Sequence, residues 1–532
     1  MRTDEKDCSG PAEGGGALRR RHRKITVQMR QAAMGTGGRD LCRRTRTAVF
    51  VFACGMALYC RAQAEEALQE AGVYCCAQAE EVLREAGVCC RAQAEEVLLE
   101  TRDLEQFRLP QLCESWEDSG KSMTILTYEF PSFLPERWYG GDHGKKPEVR
   151  SQGKYGTCWA LTAASALETS LLPEEHIVFS ADHIALKNAF ATGLNDGGNY
   201  LMTMAYLSGW QGPVTEEEDP YGDAYSPDGL LPEVHVQEMQ LLQQEDPETV
   251  KAAVMQYGAV QTSLFMDRSL TAAGAGYYIE ETSAYYYPKE QTPNHDVLIL
   301  GWDDSFSRFY FAQTPDRDGA FICQNSWGSE FGEDGIFYVS YSDPNIAQQG
   351  IVYTGIENTD NYDMLYQNDD CGWQGRQGYG DETCWIANVY TAQEEAATAE
   401  LLAAVGFYAT GRETTYEVWL VDSFDGTQSF AKRRFLKSGT LPYAGYYTVK
   451  LDEEQALAKG GRFAVLVKLT TPGSDKPAAV EYRADRYTQE VTTKGREGYL
   501  SGDGERWEQT EERFGTNVCL KAYTNIYTSP RV

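Results

Sequence analysis

One thiol in this sequence stands where it can act as a nucleophile. Cys158 ends the polar, glycine-punctuated segment Gln152-Gly153-Lys154-Tyr155-Gly156-Thr157 and precedes Trp159 and the helix-like run from Ala160 to Leu172. That places it in the first turn of a helix, where unpaired backbone amides and the positive end of the helix dipole favour thiolate. Upstream, Gln152 carries a side-chain amide that can join the Cys158 backbone N–H as the second donor of an oxyanion hole. A thiol nucleophile needs a base, and the chain has only 6 His. His22 falls in a basic leader, and His143, His176, His183 and His235 sit in polar or helix-surface sequence. His295 follows Pro293-Asn294 and opens Asp296-Val297-Leu298-Ile299-Leu300-Gly301-Trp302, a buried strand able to hold an imidazole rigidly; capping that strand is its alternative role. Asn325 lies where the apolar run from Ala320 to Cys323 passes into the loop Gln324-Asn325-Ser326-Trp327-Gly328. Its side-chain oxygen can accept from the imidazole and fix the tautomer, and Trp327 can shield that bond from water. Cys, His and Asn in this order suit acyl transfer through a thioester.

The elements that must position these groups follow from the surrounding pattern. A helix starts at Cys158, and two apolar strands carry His295 and lead into Asn325. Mixed, aromatic-rich sequence runs from about Phe130, and a polar, turn-rich stretch from Asn358 to Asp363 marks a boundary. Beyond it, Val405 to Ala409, Tyr416 to Val421 and Arg462 to Leu469 read as strands of an all-β domain. The expected folded regions are therefore 130–357 and 362–527, with 104–129 as a linker or short propeptide.

Composition sets outer limits. With 42% hydrophobic and 12% aromatic residues, including 33 Tyr, the chain can bury sizeable cores. A formal net charge of −31 argues against nucleic acid as a partner, since phosphate binding needs clustered Lys and Arg. Residues 1–47, rich in Arg and Gly, read as a disordered leader. Around 43–64, Arg43-Arg44-Thr45-Arg46, an apolar run from Ala48 to Cys60 and a small-x-small site make up the parts of a secretory signal, which predicts an extracellular or cell-surface protein. Residues 61–103 repeat the pattern Ala-Gln-Ala-Glu-Glu with a period of 15, close to four helical turns, and read as a low-complexity helical spacer. Nine of the 14 cysteines precede residue 120, too uneven a usage for a disulfide scaffold. Cys371, Cys384 and Cys519 read as buried thiols with at most one bridge, Cys371 to Cys384, suggested only by proximity and the expected export of the chain. Nothing has the spacing of a metal site, and no metal or organic cofactor is expected.

On these motifs the region from Phe130 to Gly355 resembles the papain family of cysteine peptidases. The resemblance implies an α+β domain of two lobes with the active site between them. Cys158 is then the nucleophile, His295 the base, Asn325 the orienting residue and Gln152 the oxyanion-hole glutamine, with Trp159 and Trp327 as their neighbours. It also implies that Gly197-Gly198 is the glycine pair along which an extended peptide substrate lies. Tyr155 stands where many members carry a cysteine, so their disulfide is absent. The C-terminal region, notably Cys384-Trp385-Ile386-Ala387-Asn388-Val389-Tyr390, resembles the lectin-like β-sandwich that follows such peptidases in some bacterial surface proteins. The expected function is hydrolysis of polypeptides, with a carbohydrate or cell-surface ligand for the C-terminal domain. Two alternatives are an adhesin whose peptidase-like domain is inert and a Cys-dependent acyltransferase, because hydrolysis and transfer differ only in what reaches the thioester.

Overall fold

The computed structural model of the 532-residue chain describes residues 134–243, 246–267, 276–394 and 398–528, with the backbone of 111–114. The leader, the signal-like segment and the repeats lie outside the described residues.

The nucleophile-bearing helix, α1, spans Cys158–Leu171 and is buried on nearly all sides. Small residues permit this: Ala160, Ala163, Ala164 and Ala166 let neighbouring chains approach closely, and Pro173 stops the helix. Two further helices, α2 (Ala181–Leu186) and α3 (Tyr200–Ser208), complete the helical lobe. Each has a polar N-cap: Ser180 accepts from the His183 N–H, and Asn199 accepts from the Leu201 and Met202 N–H groups. Arg150 ties the lobe together from inside, donating to Glu168 Oε1 (2.8 Å), Ser165 Oγ (3.1 Å) and the Phe179 carbonyl (2.7 Å).

The second lobe is an antiparallel sheet of Val260–Leu264, His295–Asp303, Ala320–Gln324 and Ile336–Ser340, with helix α4 (Pro247–Tyr257) against it. His295–Asp303 is central and buried along its first eight residues, so its sequence reads as continuous apolar character. Its register places His295 opposite Leu264 and Asp296 opposite Ser263.

The expected boundary near residue 360 is not a physical separation. The same sheet continues through Gln349–Asn358 and Val234–Gln243 into Ala444–Ala456, Thr398–Ala409, Leu520–Thr528 and Met364–Tyr366 of the C-terminal region. The junction pairs Ala444 with Leu241 and Tyr447 with Glu238. At Gly445, φ is +149° and an added Cβ would lie 2.1 Å from the Met239 carbonyl oxygen, so only glycine lets the two strands meet there. One hydrophobic cluster likewise joins Leu161, Met204 and Tyr206 to Cys371, Trp373, Tyr408 and Tyr446.

A second sheet, Arg434–Leu441, Thr414–Val421, Arg462–Thr470, Thr383–Thr391, Gly498–Ser501 and Glu508–Gln509, covers the C-terminal strands of the large one. Leu402, Val405, Phe407 and Val449 pack against Ile386, Val418, Val465 and Val467 across the gap, the expected sandwich. A small sheet adds Gly375–Gly378, Ala478–Glu481 and Asn517–Val518, with Gln111–Glu114 as an antiparallel edge strand. Cys371, Cys384 and Cys519 are buried free thiols, so the Cys371–Cys384 bridge does not form. Cys371 Sγ donates instead to the Ala189 carbonyl at 3.4 Å.

Several buried carboxyls bind their proton more tightly than in water. Burial pushes Glu481 up to about 8, Glu168 up to about 7 in spite of Arg150, and Asp343 up to about 6. The folded chain keeps these protons where the unfolded chain has released them, so stability is present at low pH and lost as pH rises through the folded values. Thermal melts are expected to show Tm falling from about pH 5 to about pH 8. A Tm that rises over that range contradicts this.

Candidate functional site

Ser326 fixes the orientation of both amide side chains. Its backbone N–H donates to Asn325 Oδ1 at 2.8 Å, which identifies that atom as the oxygen. Asn325 Oδ1 also lies 2.7 Å from His295 Nε2, so Nε2 must carry the proton and Nδ1 is left as the basic nitrogen. The Ser326 hydroxyl donates to Gln152 Oε1 at 2.8 Å, while Gln152 Nε2 donates to the Tyr155 carbonyl at 2.8 Å. One amide hydrogen of Gln152 is thereby spoken for and the other is free for an oxyanion. The Gln152 backbone N–H is held by the Ser326 carbonyl at 2.7 Å, and the Tyr221 hydroxyl donates to the Gln152 carbonyl at 3.0 Å.

Cys158 is the first residue of α1, partly accessible, and shares one cleft of about 740 Å³ with Gln152, Gly197, Gly198, His295 and Trp327. Trp327 tilts over His295 with ring centroids 5.0 Å apart. Asn325 is buried behind that ring, as a shielded orienting group must be. Trp159 lies under the cleft, almost fully buried, and packs so closely on Gly198 that an added Cβ would meet its ring at 2.2 Å. Gly197 has φ +75°, which favours glycine. All eight residues singled out in the sequence are therefore in or against one cleft.

The electrostatics differ from the sequence expectation. Burial, with the Asp296 charge adding to it, pushes the Cys158 thiol up to about 12, although the backbone amides of Asp296, Trp159 and Cys158 favour thiolate. Burial pushes His295 down to about 4 against the help of Asn325. Desolvation outweighs the helix N-terminus, and each group on its own is neutral. Charge separation is attainable for the two together, because a proton moved from thiol to imidazole leaves opposite charges that relieve each other's desolvation.

The tyrosines at 285–287 do not line the cleft. Tyr285 is fully buried and donates to the Phe265 carbonyl, and Tyr287 packs between Phe265 and Tyr277. His235, read as surface, is buried in a strand, stacked on Trp210 with centroids 3.9 Å apart. Ser326, Tyr200, Ser263, Met266 and Asp296 were not singled out. Ser326 and Asp296 stand beside residues that were, and Tyr200 lies two residues after Gly198, so nearness in sequence was the available signal; Ser263 and Met266 come from a distant element. The C-terminal domain also reaches the rim: the Tyr487 hydroxyl donates to the Asp196 carbonyl at 3.0 Å, next to Gly197-Gly198.

Removing the free oxyanion donor should slow the chemical step more than binding. Gln152→Ala is expected to lower kcat on peptide substrates by about 10²–10³ with a smaller change in KM. Steady-state kinetics check this, and an unchanged kcat removes Gln152 from the oxyanion hole.

Known proteins match this arrangement in two blocks. A papain family cysteine protease profile matches residues 134–355, and a lectin like domain profile matches 365–524. The gamete and mating-type specific protein A of Dictyostelium discoideum is 27% identical over 208 residues, covering 37% of this chain and 41% of its own. Cathepsin S of Bos taurus is 25% identical over 224 residues, covering 40% and 62%. The chain thus spans less than two thirds of these curated relatives. Among solved structures, the clostridial cysteine protease Cwp84 after propeptide cleavage superposes with a TM-score of 0.64 at 25% identity, over 74% of this chain and 99% of that one. The cysteine protease and lectin-like domains of Cwp84, a surface layer associated protein of Clostridium difficile, give 0.66 at 23% identity over 82% and 96%, a likeness of fold. With the profile spanning both lobes of the cleft, residues 134–355 belong to the papain family of cysteine proteases, joined to a lectin-like domain at 365–524.

Proposed function

We propose that the protein is a cysteine endopeptidase that hydrolyses polypeptides through a thioester on Cys158. His295 Nδ1 takes the thiol proton as Sγ attacks the scissile carbonyl. The resulting oxyanion accepts from the Cys158 backbone N–H and the free Gln152 amide hydrogen. His295 then passes its proton to the leaving amine, the C–N bond breaks, and water admitted to the cleft hydrolyses the thioester with His295 as base. The observation that carries this reading is the 2.7 Å contact of His295 Nε2 with the Asn325 oxygen that also accepts from the Ser326 N–H, because it leaves Nδ1 available as the base. The papain-family match and the likeness to Cwp84 support the same reaction class.

The cellular setting is proposed on two grounds: the signal-like residues near 43–64, and the likeness to a surface layer associated protein. We place the protein outside the cell or at its surface, with a carbohydrate or cell-surface ligand for the lectin-like domain. Among the described residues no helix is long and apolar enough to cross a membrane.

An epoxide inhibitor of the E-64 type, followed by peptide mapping, tests the nucleophile: modification at Cys158 with parallel loss of peptide cleavage supports the proposal. An unmodified Cys158 favours the inert adhesin. Amide ligation without cleavage products, read by mass spectrometry on a peptide mixture, favours the acyltransferase.

A further inference from the structure

Asp296 is a buried carboxylate in the cleft that the thiol chemistry does not use. Its residue is 7% exposed, and it lines the cavity that holds Cys158 and His295. Two neutral donors hold it in place: Ser263 Oγ donates to Oδ1 at 2.6 Å and Gln261 Nε2 donates to Oδ2 at 3.1 Å. Gln261 is itself fixed, donating to the Trp159 carbonyl at 3.2 Å and accepting from the Tyr353 hydroxyl at 3.0 Å. The carboxylate therefore cannot swing away from the cleft without breaking a network anchored in three elements.

What the network lacks is a positive charge. Beyond burial, the groups acting on Asp296 are Ser263 and Gln261, both neutral. Three other buried acids are matched or sealed. Glu168 has Arg150 and Asp369 has Lys521, while Asp343 is closed over by the Tyr287 and Asn345 backbone N–H groups. Asp296 alone of these opens onto the cleft beside the nucleophile. A buried carboxylate with spare acceptor capacity gains most from a cation delivered in an otherwise desolvated site.

The position of the pocket follows from its walls. Tyr200 feels the Asp296 charge, and it begins α3 two residues after Gly198. The carboxylate thus acts on the start of α3, which follows the Gly197-Gly198 ledge, and Met266 and Ser263 line the same cleft. A peptide extended along that ledge turns alternate side chains into the cleft. A lysine or arginine stem can run along Tyr200 and Met266 while its charged head reaches the carboxylate.

We propose that Asp296 is a specificity-determining residue that selects polypeptide substrates with lysine or arginine on the acyl side of the cut, one residue before the one bearing the scissile carbonyl. This rests on the peptidase reading, and it adds a substrate class to it.

Matched peptides with Lys, Arg or Leu at that position, cleaved by the full chain, test it. At about pH 7.5 kcat/KM for Lys or Arg is expected to exceed that for Leu by about tenfold or more. Asp296→Asn should bring the ratio near one. A second reading needs no variant. Burial holds the Asp296 carboxyl up to about 6, while the groups facing it, Cys158, Tyr200 and Tyr353, are all pushed up by burial and stay neutral. As pH falls through that value Asp296 takes a proton, so the basic-to-Leu ratio should fall from about pH 7.5 to about pH 5. The ratio cancels the titration of Cys158 and His295, which both substrates share. Equal or better cleavage of the Leu peptide at the higher pH overturns the proposal, as does a ratio indifferent to pH or to Asp296→Asn. If peptides are cleaved without this preference, the peptidase reading stands and only the assignment of Asp296 fails. If no peptide is cleaved and E-64 leaves Cys158 unmodified, both fail.

Discussion

Cys158→Ala is expected to abolish peptide hydrolysis, lowering kcat/KM by about 10⁴-fold or more, with no measurable change in Tm. The size of the effect follows from the mechanism's dependence on one covalent bond. Without Sγ no thioester forms, and the oxyanion donors and His295 are left with only water to activate. The stability expectation follows from place: Cys158 is the first residue of α1, partly accessible, and its sulfur is not part of the packed clusters. Cleavage assays paired with thermal melts separate the two readouts. Residual hydrolysis within tenfold of the parent would mean that the cleavage arises elsewhere.

Lys521→Met should be the most damaging single change to the fold. Lys521 and Asp369 have side chains exposed by 1% and 0%, and their ion pair spans 2.9 Å. Lys521 Nζ also donates to Gln367 Oε1 at 2.8 Å. Burial already pushes the Asp369 carboxyl up, with Lys521 opposing it. Methionine fills much of the volume but leaves that carboxylate buried without its cation, which costs about 3–5 kcal/mol. Chemical denaturation checks the magnitude. Adding Asp369→Asn to Lys521→Met should recover part of the loss, since the orphaned charge goes; a double variant no better than the single one would assign the loss to packing instead. Because the cluster that includes Tyr408 and Cys519 extends into α1 and α3, the loss is expected to reach both domains in one transition.

Much of the site was legible because its chemistry is local. Cys158 and Gln152 share one short segment that ends at a helix start, and a helix N-terminus is readable from glycine, threonine and the alanine run that follows. His295 and Asn325 could be found because each adjoins a buried strand, whose continuous apolar residues mark it regardless of what it packs against. The strands of the sandwich were visible for the same reason.

Other features depend on atoms far apart in the chain. The balance between helix dipole and desolvation at Cys158 is set by how deeply the cleft buries it, which no spacing encodes. His235 looked like a surface residue because its strand, Val-His-Val-Gln-Glu-Met-Gln, is polar in sequence; Trp210 and Asn361, from other elements, bury and satisfy it. Cys371, in a turn, and Cys384, in the strand Thr383–Thr391, are near in sequence yet remain thiols. The sequence by itself picked out Cys158, Gln152, His295 and Asn325 as candidates for a nucleophile, a base and their donors, since residue type and local periodicity are enough for that. Tertiary structure alone decided that the two domains share one sheet and one bridging hydrophobic cluster, and that Asp296 lines the cleft without a cation beside it. Strand pairing and charge burial are long-range properties, decided by which distant segments come together.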